Sequence, residues 1–137
     1  MDIRLPHEVE WEVAARWPDG RFYPWGNTFD SHKANTREAG ISLTTAVGLY
    51  PSGRNEALEL YDLSGNVWEW CRNKYDPPEA VEVDESGDSR VVRGGSWNHN
   101  RGLARAACRD YRVPVDRFDF GFRVVVVRFS PSHQPDH

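Results

Sequence analysis

Side chains able to carry out chemistry are sparse in this 137-residue sequence, and their spacing excludes more than it allows. Cys71 and Cys108 belong to no CxxC or Cys/His ligand pattern, so no zinc site follows, and whether the two pair is left open. The five histidines, at positions 7, 32, 99, 133 and 137, form neither an H-x-H nor an H-E-x-x-H set. A G-x-S-x-G elbow and a phosphate-cradling glycine loop are also missing. What remains is oxygen chemistry. The segment Tyr61-Asp-Leu-Ser-Gly-Asn-Val-Trp-Glu-Trp70 sets Asp62 and Glu69 on either side of a Ser-Gly-Asn turn with carbonyls between them, the kind of cage a hard cation takes. The same residues allow a simpler arrangement, in which Asp62 caps the turn and Glu69 pairs with Arg93 or Arg123.

The elements that position these groups are short. After Pro6, the residues Val9, Val13 and Trp17 recur at four-residue spacing, with acids early and Arg16 late, which predicts a helix. From Pro18 to Arg54 the chain is rich in Gly, Pro, Asn, Asp, Ser and Thr and is expected to be irregular, pinned by Phe22, Tyr23 and Trp25. Segments Asn66–Cys71, Arg90–Arg93, Ala104–Arg109 and Phe122–Arg128 are β-prone and imply a small antiparallel sheet. Trp68 and Trp70 alternate with Glu69 and so share a face, expected to be core. The result is one α+β domain over residues 1–129, with a solvated acidic loop at 76–89 and a disordered tail at 130–137.

Seventeen Lys and Arg against 21 Asp and Glu give a formal charge of −4, which disfavours a nucleic-acid partner. The longest apolar run, Val124 to Val127, is far too short to span a membrane, and residues 1–20 lack the order of a signal peptide, so a cytoplasmic location is expected.

Four phrases occur in order: Arg4-Leu-Pro-x-Glu-x-Glu-Trp-Glu-x-Ala-Ala-Arg16, Tyr23-Pro-Trp-Gly-Asn27, Leu63-Ser-Gly-Asn-Val-Trp-Glu-Trp70, and Arg93-Gly-Gly-Ser-Trp97 closed by Gly121-Phe-Arg123. Together they resemble the formylglycine-generating enzyme, or sulfatase-modifying factor, family. The resemblance implies a C-type-lectin-like fold of the formylglycine-generating-enzyme subtype, low in regular structure and shared by cysteine oxidation, sulfoxide synthesis and ligand display. It carries a structural calcium site onto the side chains of Asp62 and Glu69 and the main-chain oxygens of Gly65 and Val67, and a weaker second one onto Ala34-Asn35-Thr36. The family domain begins with further strands before the Arg-Leu-Pro phrase, so a partner chain or an upstream segment is expected to complete the fold. The catalytic members hold copper(I) on two cysteines shortly after the Gly-Gly-Ser-aromatic phrase. Here that stretch reads Trp97-Asn-His-Asn-Arg-Gly-Leu-Ala-Arg105, without cysteine, and no copper is expected. His99 is the one residue there able to bind a transition metal. The three iron-binding histidines of ergothioneine-type enzymes belong to a separate helical domain that these residues do not include.

Between the fixed points Trp97, Arg105, Arg109, Pro114, Arg117 and Gly121 stand Asn98, His99, Asn100, Asp110, Tyr111, Val113, Val115, Asp116, Phe118, Asp119 and Phe120. Rigid aromatics beside directional amides and carboxylates form a mixture suited to contacting a protein. Several of these types are reached by changing the adenines of an Asn codon. The Arg-Gly-Gly-Ser-Trp…Gly-Phe-Arg frame also resembles the variable region of diversity-generating retroelement proteins. The expectation is a non-catalytic recognition module presenting residues 98–120 to a protein ligand. A sulfatase-modifying-type oxidoreductase and a sensor domain of a larger signalling or defence protein are the alternatives.

Overall fold

A computed structural model describes residues 1–76, 88–112 and 119–128. In chain order the elements are β1 (Asp2–Arg4), α1 (Glu8–Arg16), two single 3-10 turns (Arg37–Ala39 and Pro51–Gly53), β2 (Trp68–Lys74), β3 (Arg90–Arg93), β4 (Arg109–Arg112), β5 (Phe120–Gly121) and β6 (Val125–Val127). The tail expected to be disordered and most of the acidic loop, residues 77–87, lie outside the described residues.

Helix α1 starts where its sequence directs. His7 Nδ1 accepts from the Val9 N–H at 3.1 Å, and Glu10 reaches back to the His7 N–H at 2.9 Å, a reciprocal cap. The residues that advertise the helix are not those it buries. Val9, Val13 and Trp17 are 59%, 53% and 48% exposed, while Glu8, Trp11 and Ala15 face inward.

The inward row packs on a four-stranded sheet of order β4-β3-β2-β5. Its core is Trp11, Ala15, Leu63, Cys71, Val91 and Ala106. Each buried aliphatic such as Leu63 or Val91 contributes about 1.5–3 kcal/mol. Gly94, at φ +97°, lets the chain pass under Trp11; a Cβ there would meet the Leu63 carbonyl at 2.6 Å.

Three strand expectations need correction. Ala104–Cys108 is turn rather than strand: the Ala104 N–H donates to Arg101 O and the Cys108 N–H to Arg105 O, and β4 begins only at Arg109. Of the Phe122–Arg128 run only Val125–Val127 is strand, as β6 against β1; just before the run, β5 pairs parallel with β2, Trp68 opposite Phe120. The main sheet is therefore mixed. Nothing in the local sequence predicts the first strand; Asp2–Arg4 is set by its antiparallel partner, with Ile3 opposite Val126.

Candidate functional site

Strand alternation divides the residues expected to form one presenting surface. Asp110 lies opposite Val92, itself opposite Trp70, so these three share the sheet face turned away from α1. Phe120 joins them, its ring 5.4 Å from Trp70, and the Arg112 guanidinium lies 5.8 Å over Phe120 while pairing with Asp110 at 3.0 Å. Tyr111 points the other way. It lies opposite Val91, is half exposed, and packs on Tyr75 at 4.8 Å beside Arg109.

Residues 98–100 form a second part of the site, a loop held from behind. Arg37 donates from Nε and Nη2 to the Asn98 carbonyl (3.1 and 2.7 Å), and its own N–H donates to His99 O at 3.0 Å. The Asn98 N–H donates to Ser96 Oγ, and Asn100 Oδ1 accepts the Gly102 N–H at 3.0 Å. The His99 ring stands edge-on to buried Trp68, with Nε2 at 3.6 Å from Asp119. Asp119 departs from expectation. It is 4% exposed and accepts the Ser96 hydroxyl, so it anchors the loop from inside instead of presenting itself. Val113, Val115, Asp116 and Phe118 lie outside the described residues.

Nothing local in the sequence marks Arg37 as the clamp of a loop 61 positions away. Beside that loop opens a cleft of about 610 Å³, lined by Phe29, Asp30, Lys33, Glu38 and Arg101 among others. The Arg101 N–H donates to Glu38 at 3.0 Å, tying cleft and loop together.

Burial pushes the Cys71 thiol far above its ordinary range, and burial again, with Asp110 nearby, pushes Cys108 up. Both shifts favour the protonated thiol, the less nucleophilic form.

The Asp62–Glu69 segment satisfies itself without a cation. Asp62 Oδ2 accepts the Gly48 N–H at 2.8 Å. Both Glu69 oxygens receive the Arg123 guanidinium, and Oε1 also receives the Trp11 indole N–H at 3.1 Å. Full burial pushes the Glu69 carboxyl up, against the pull of Arg123. Gly65, at φ +81°, lies so close to Asn35 that a Cβ would meet its carbonyl at 2.5 Å. Val67, with Asp62 and Glu69, lines a recess of about 320 Å³. Among the described residues the buried side-chain oxygens without partners are Asn35 Oδ1 and Thr36 Oγ1, which are neutral and do not by themselves make a calcium site. Glu69 is already paired with Arg123, so a cation on the set Asp62, Gly65, Val67 and Glu69 would compete with that guanidinium. Calcium and chelator are expected to leave the melting temperature unchanged, and a calcium-dependent rise reversed by chelator would show that the displacement occurs.

The Arg-rich frame, the clamped loop and the Glu69–Arg123 pair are spread over nearly the whole chain, and so is its match to a family model. Residues 1–128 match the sulfatase-modifying factor enzyme 1-like domain. The chain belongs to that family. It is 40% identical over 140 aligned residues to the inactive C-alpha-formylglycine-generating enzyme 2 of Mus musculus, covering 88% of this chain and 42% of that protein. It is 39% identical to the serine/threonine-protein kinase Pkn1 of Chlamydia trachomatis, covering 88% of this chain and 20% of that one. Among solved structures, Treponema denticola variable protein 1 superposes with a TM-score of 0.76 at 30% identity, over 89% of this chain and 46% of the other. The family member thus spans less than half the length of these relatives. Its α+β fold is the C-type-lectin-like variant seen in its structural neighbours. Among the described residues no helix is long and apolar enough to cross a membrane.

Proposed function

We propose that this chain is a non-catalytic recognition module that binds a protein through the clamped 98–100 loop and the sheet face bearing Asp110, Arg112 and Phe120. One observation carries the reading: the stretch matched to the family's copper cysteines, Trp97–Arg105, holds no cysteine and its Asn98-His99-Asn100 loop is fixed by Arg37, Ser96 and Asp119, while the two thiols, Cys71 buried and Cys108 half-buried, lie elsewhere and are both pushed toward the protonated form. Similarity to an inactive formylglycine-generating enzyme and to a variable protein supports it. A clamped frame that offers the exposed Asn100, the half-buried Asn98 and a half-buried aromatic is suited to a surface whose side chains change while its backbone does not. In the sharper form of the proposal, residues 98–120 are diversified by a retroelement.

Two measurements test this. Oxygen uptake with a cysteine-containing peptide and copper(I) is expected to stay at the protein-free rate, with Cys108→Ser making no difference; uptake abolished by that substitution would restore the oxidoreductase reading. Sequencing the flanking DNA tests diversification: a reverse-transcriptase gene and a near-copy of the segment encoding residues 93–123 are expected, and a locus with neither rejects it. A second reading, a sensor domain of a signalling protein, is favoured by the kinase among the relatives, in which the matched region is a fifth of the length.

A further inference from the structure

The 610 Å³ cleft beside the 98–100 loop is lined by charge: Asp30, Lys33, Glu38 and Arg101 are four of its seven described lining residues. Its two acids are engaged by the protein. Asp30 Oδ1 accepts the His32 N–H at 2.8 Å, and Glu38 Oε2 accepts the Arg101 N–H at 3.0 Å. Its two cations are not. Among the described residues neither the Lys33 ammonium nor the Arg101 guanidinium makes a hydrogen bond or an ion pair, although Lys33 acts on Asp30 through its charge. Both nevertheless stand on fixed backbone. Arg101 is held by Glu38 at its N–H and by the Tyr23 hydroxyl at its carbonyl (3.2 Å), and its guanidinium lies 5.9 Å over Phe29. Lys33 is half-buried. Its N–H donates to Asp30 O at 3.0 Å, and its carbonyl packs so closely on Gly53 that a Cβ there would meet it at 1.7 Å.

We propose that this cleft binds a peptide segment of the protein ligand through a carboxylate, held by Lys33 and Arg101 beside the Phe29 ring. The proposal rests on the reading of residues 98–100 as a recognition loop and names the chemistry that loop's ligand carries. Small-molecule pockets are mostly apolar, whereas this lining is mostly charged, which suits a polar chain lying across an open cleft. An arginine with its donors unused offers a carboxylate two parallel hydrogen bonds, and Lys33 adds a second positive charge. Because the backbone under both cations is already fixed, little order is lost when the anion arrives. Asp30 and Glu38 set the selectivity. They repel a doubly charged phosphate more than a single carboxylate. The formal −4 of the whole chain gives no long-range pull on anions, so the attraction is confined to the cleft.

Amide chemical shifts of the 137-residue chain, followed by NMR during titration with acetylated pentapeptides, test this. One peptide carries a single glutamate and an amidated end, a second has glutamine in its place and a free C-terminal carboxylate, and a third has glutamine and an amidated end. Saturable shifts at residues 28–38 and 101 are expected with the first, the second or both, which tells a side-chain carboxylate from a chain end, and not with the third. Lys33→Ala and, independently, Arg101→Ala are expected to weaken binding about tenfold, the worth of one charge-assisted hydrogen bond. Arg105→Ala removes an exposed arginine that stacks on Phe22 outside the cleft, and is expected to leave binding unchanged. No shifts with either carboxylate peptide would overturn the proposal. So would equal binding of the third peptide, equal or tighter binding of inorganic phosphate, or an affinity that Lys33→Ala and Arg101→Ala both leave intact. None of these results bears on whether the chain is a catalyst or a diversified recognition module, which the oxygen-uptake and locus tests address separately.

Discussion

Glu8→Ala is expected to cost about 3 kcal/mol of stability, at the lower end of what breaking a buried charge pair does, and to lower the melting temperature by roughly 10 °C. Glu8 is 3% exposed, on the first turn of α1, and its carboxylate joins the helix to three strands. Arg93 donates from Nε at 3.1 Å, Arg109 from Nε and Nη2 at 2.9 and 2.6 Å, and Asn73 from its amide at 3.1 Å. Arg93 is itself 3% exposed. Without Glu8 it keeps Glu12 at 2.8 Å and the Ala106 carbonyl at 2.9 Å, which is why the loss stays near the lower end. As a control, Glu56→Ala, whose carboxylate is 84% exposed and 3.9 Å from Arg54, should change little.

The same network sets a pH dependence. Burial alone would push the Glu8 carboxyl up, but the hydrogen bond from Arg109 and the charges of Arg93 and Arg109 outweigh it and hold the group below the usual carboxylate range. A carboxyl depressed in the folded state stabilises fully above its unfolded pKa, and that contribution disappears as pH falls through the folded value. Wild type should lose stability on acidification below the normal glutamate range. Glu8→Ala should lose less over the same interval, so urea midpoints measured at neutral and acid pH should converge for the two proteins. Parallel curves would remove Glu8 as the titrating group.

Local spacing made the helix legible, and it also showed where the structure would turn away from simple amphipathicity. The four-residue row Val9, Val13 and Trp17 revealed α1, yet burial chose Glu8, Trp11 and Ala15, because Glu8 answers arginines far along the chain. A sequence window holds only local information, and the partners of Glu8 lie 65 to 101 positions away. Strand β3 was legible because Arg90–Arg93 lies between turn signals. Strand β5 was not, since two residues held parallel to β2 leave no periodic trace. At the candidate site Asp119 has the type of a contact residue, and nothing in its neighbours along the chain marks it as buried. Only the Ser96 hydroxyl and the His99 ring show that it faces inward. For Glu69 the chemistry did narrow the options to a cation, Arg93 or Arg123, and packing selected Arg123.

That selection yields the second large effect. Arg123→Ala should destabilise the fold by about 3–5 kcal/mol, because it leaves a buried carboxylate without its counter-charge. Arg123 serves both Glu69 oxygens and donates from Nη2 to the Tyr61 carbonyl at 2.8 Å, three contacts that one ammonium cannot reproduce; Arg123→Lys should therefore recover only part of the loss. Removing both charges, with Glu69→Gln and Arg123→Met together, should come closer to wild type than Arg123→Ala alone, as expected when the stranded charge causes the damage. The pH dependence has the opposite sign to that of Glu8. Full burial already pushes the Glu69 carboxyl up, and without Arg123 it rises further, so protonation on acidification removes the charge that is costly to bury. A carboxyl raised in the folded state contributes stability that is present below its unfolded pKa and lost as pH rises through the folded one. The gap between wild type and Arg123→Ala should narrow as pH falls, and because both proteins retain Glu8, its acid-side loss cancels in that difference. A gap that stays constant with pH would mean that Arg123 supports the fold through packing and the Tyr61 carbonyl rather than through the charge on Glu69.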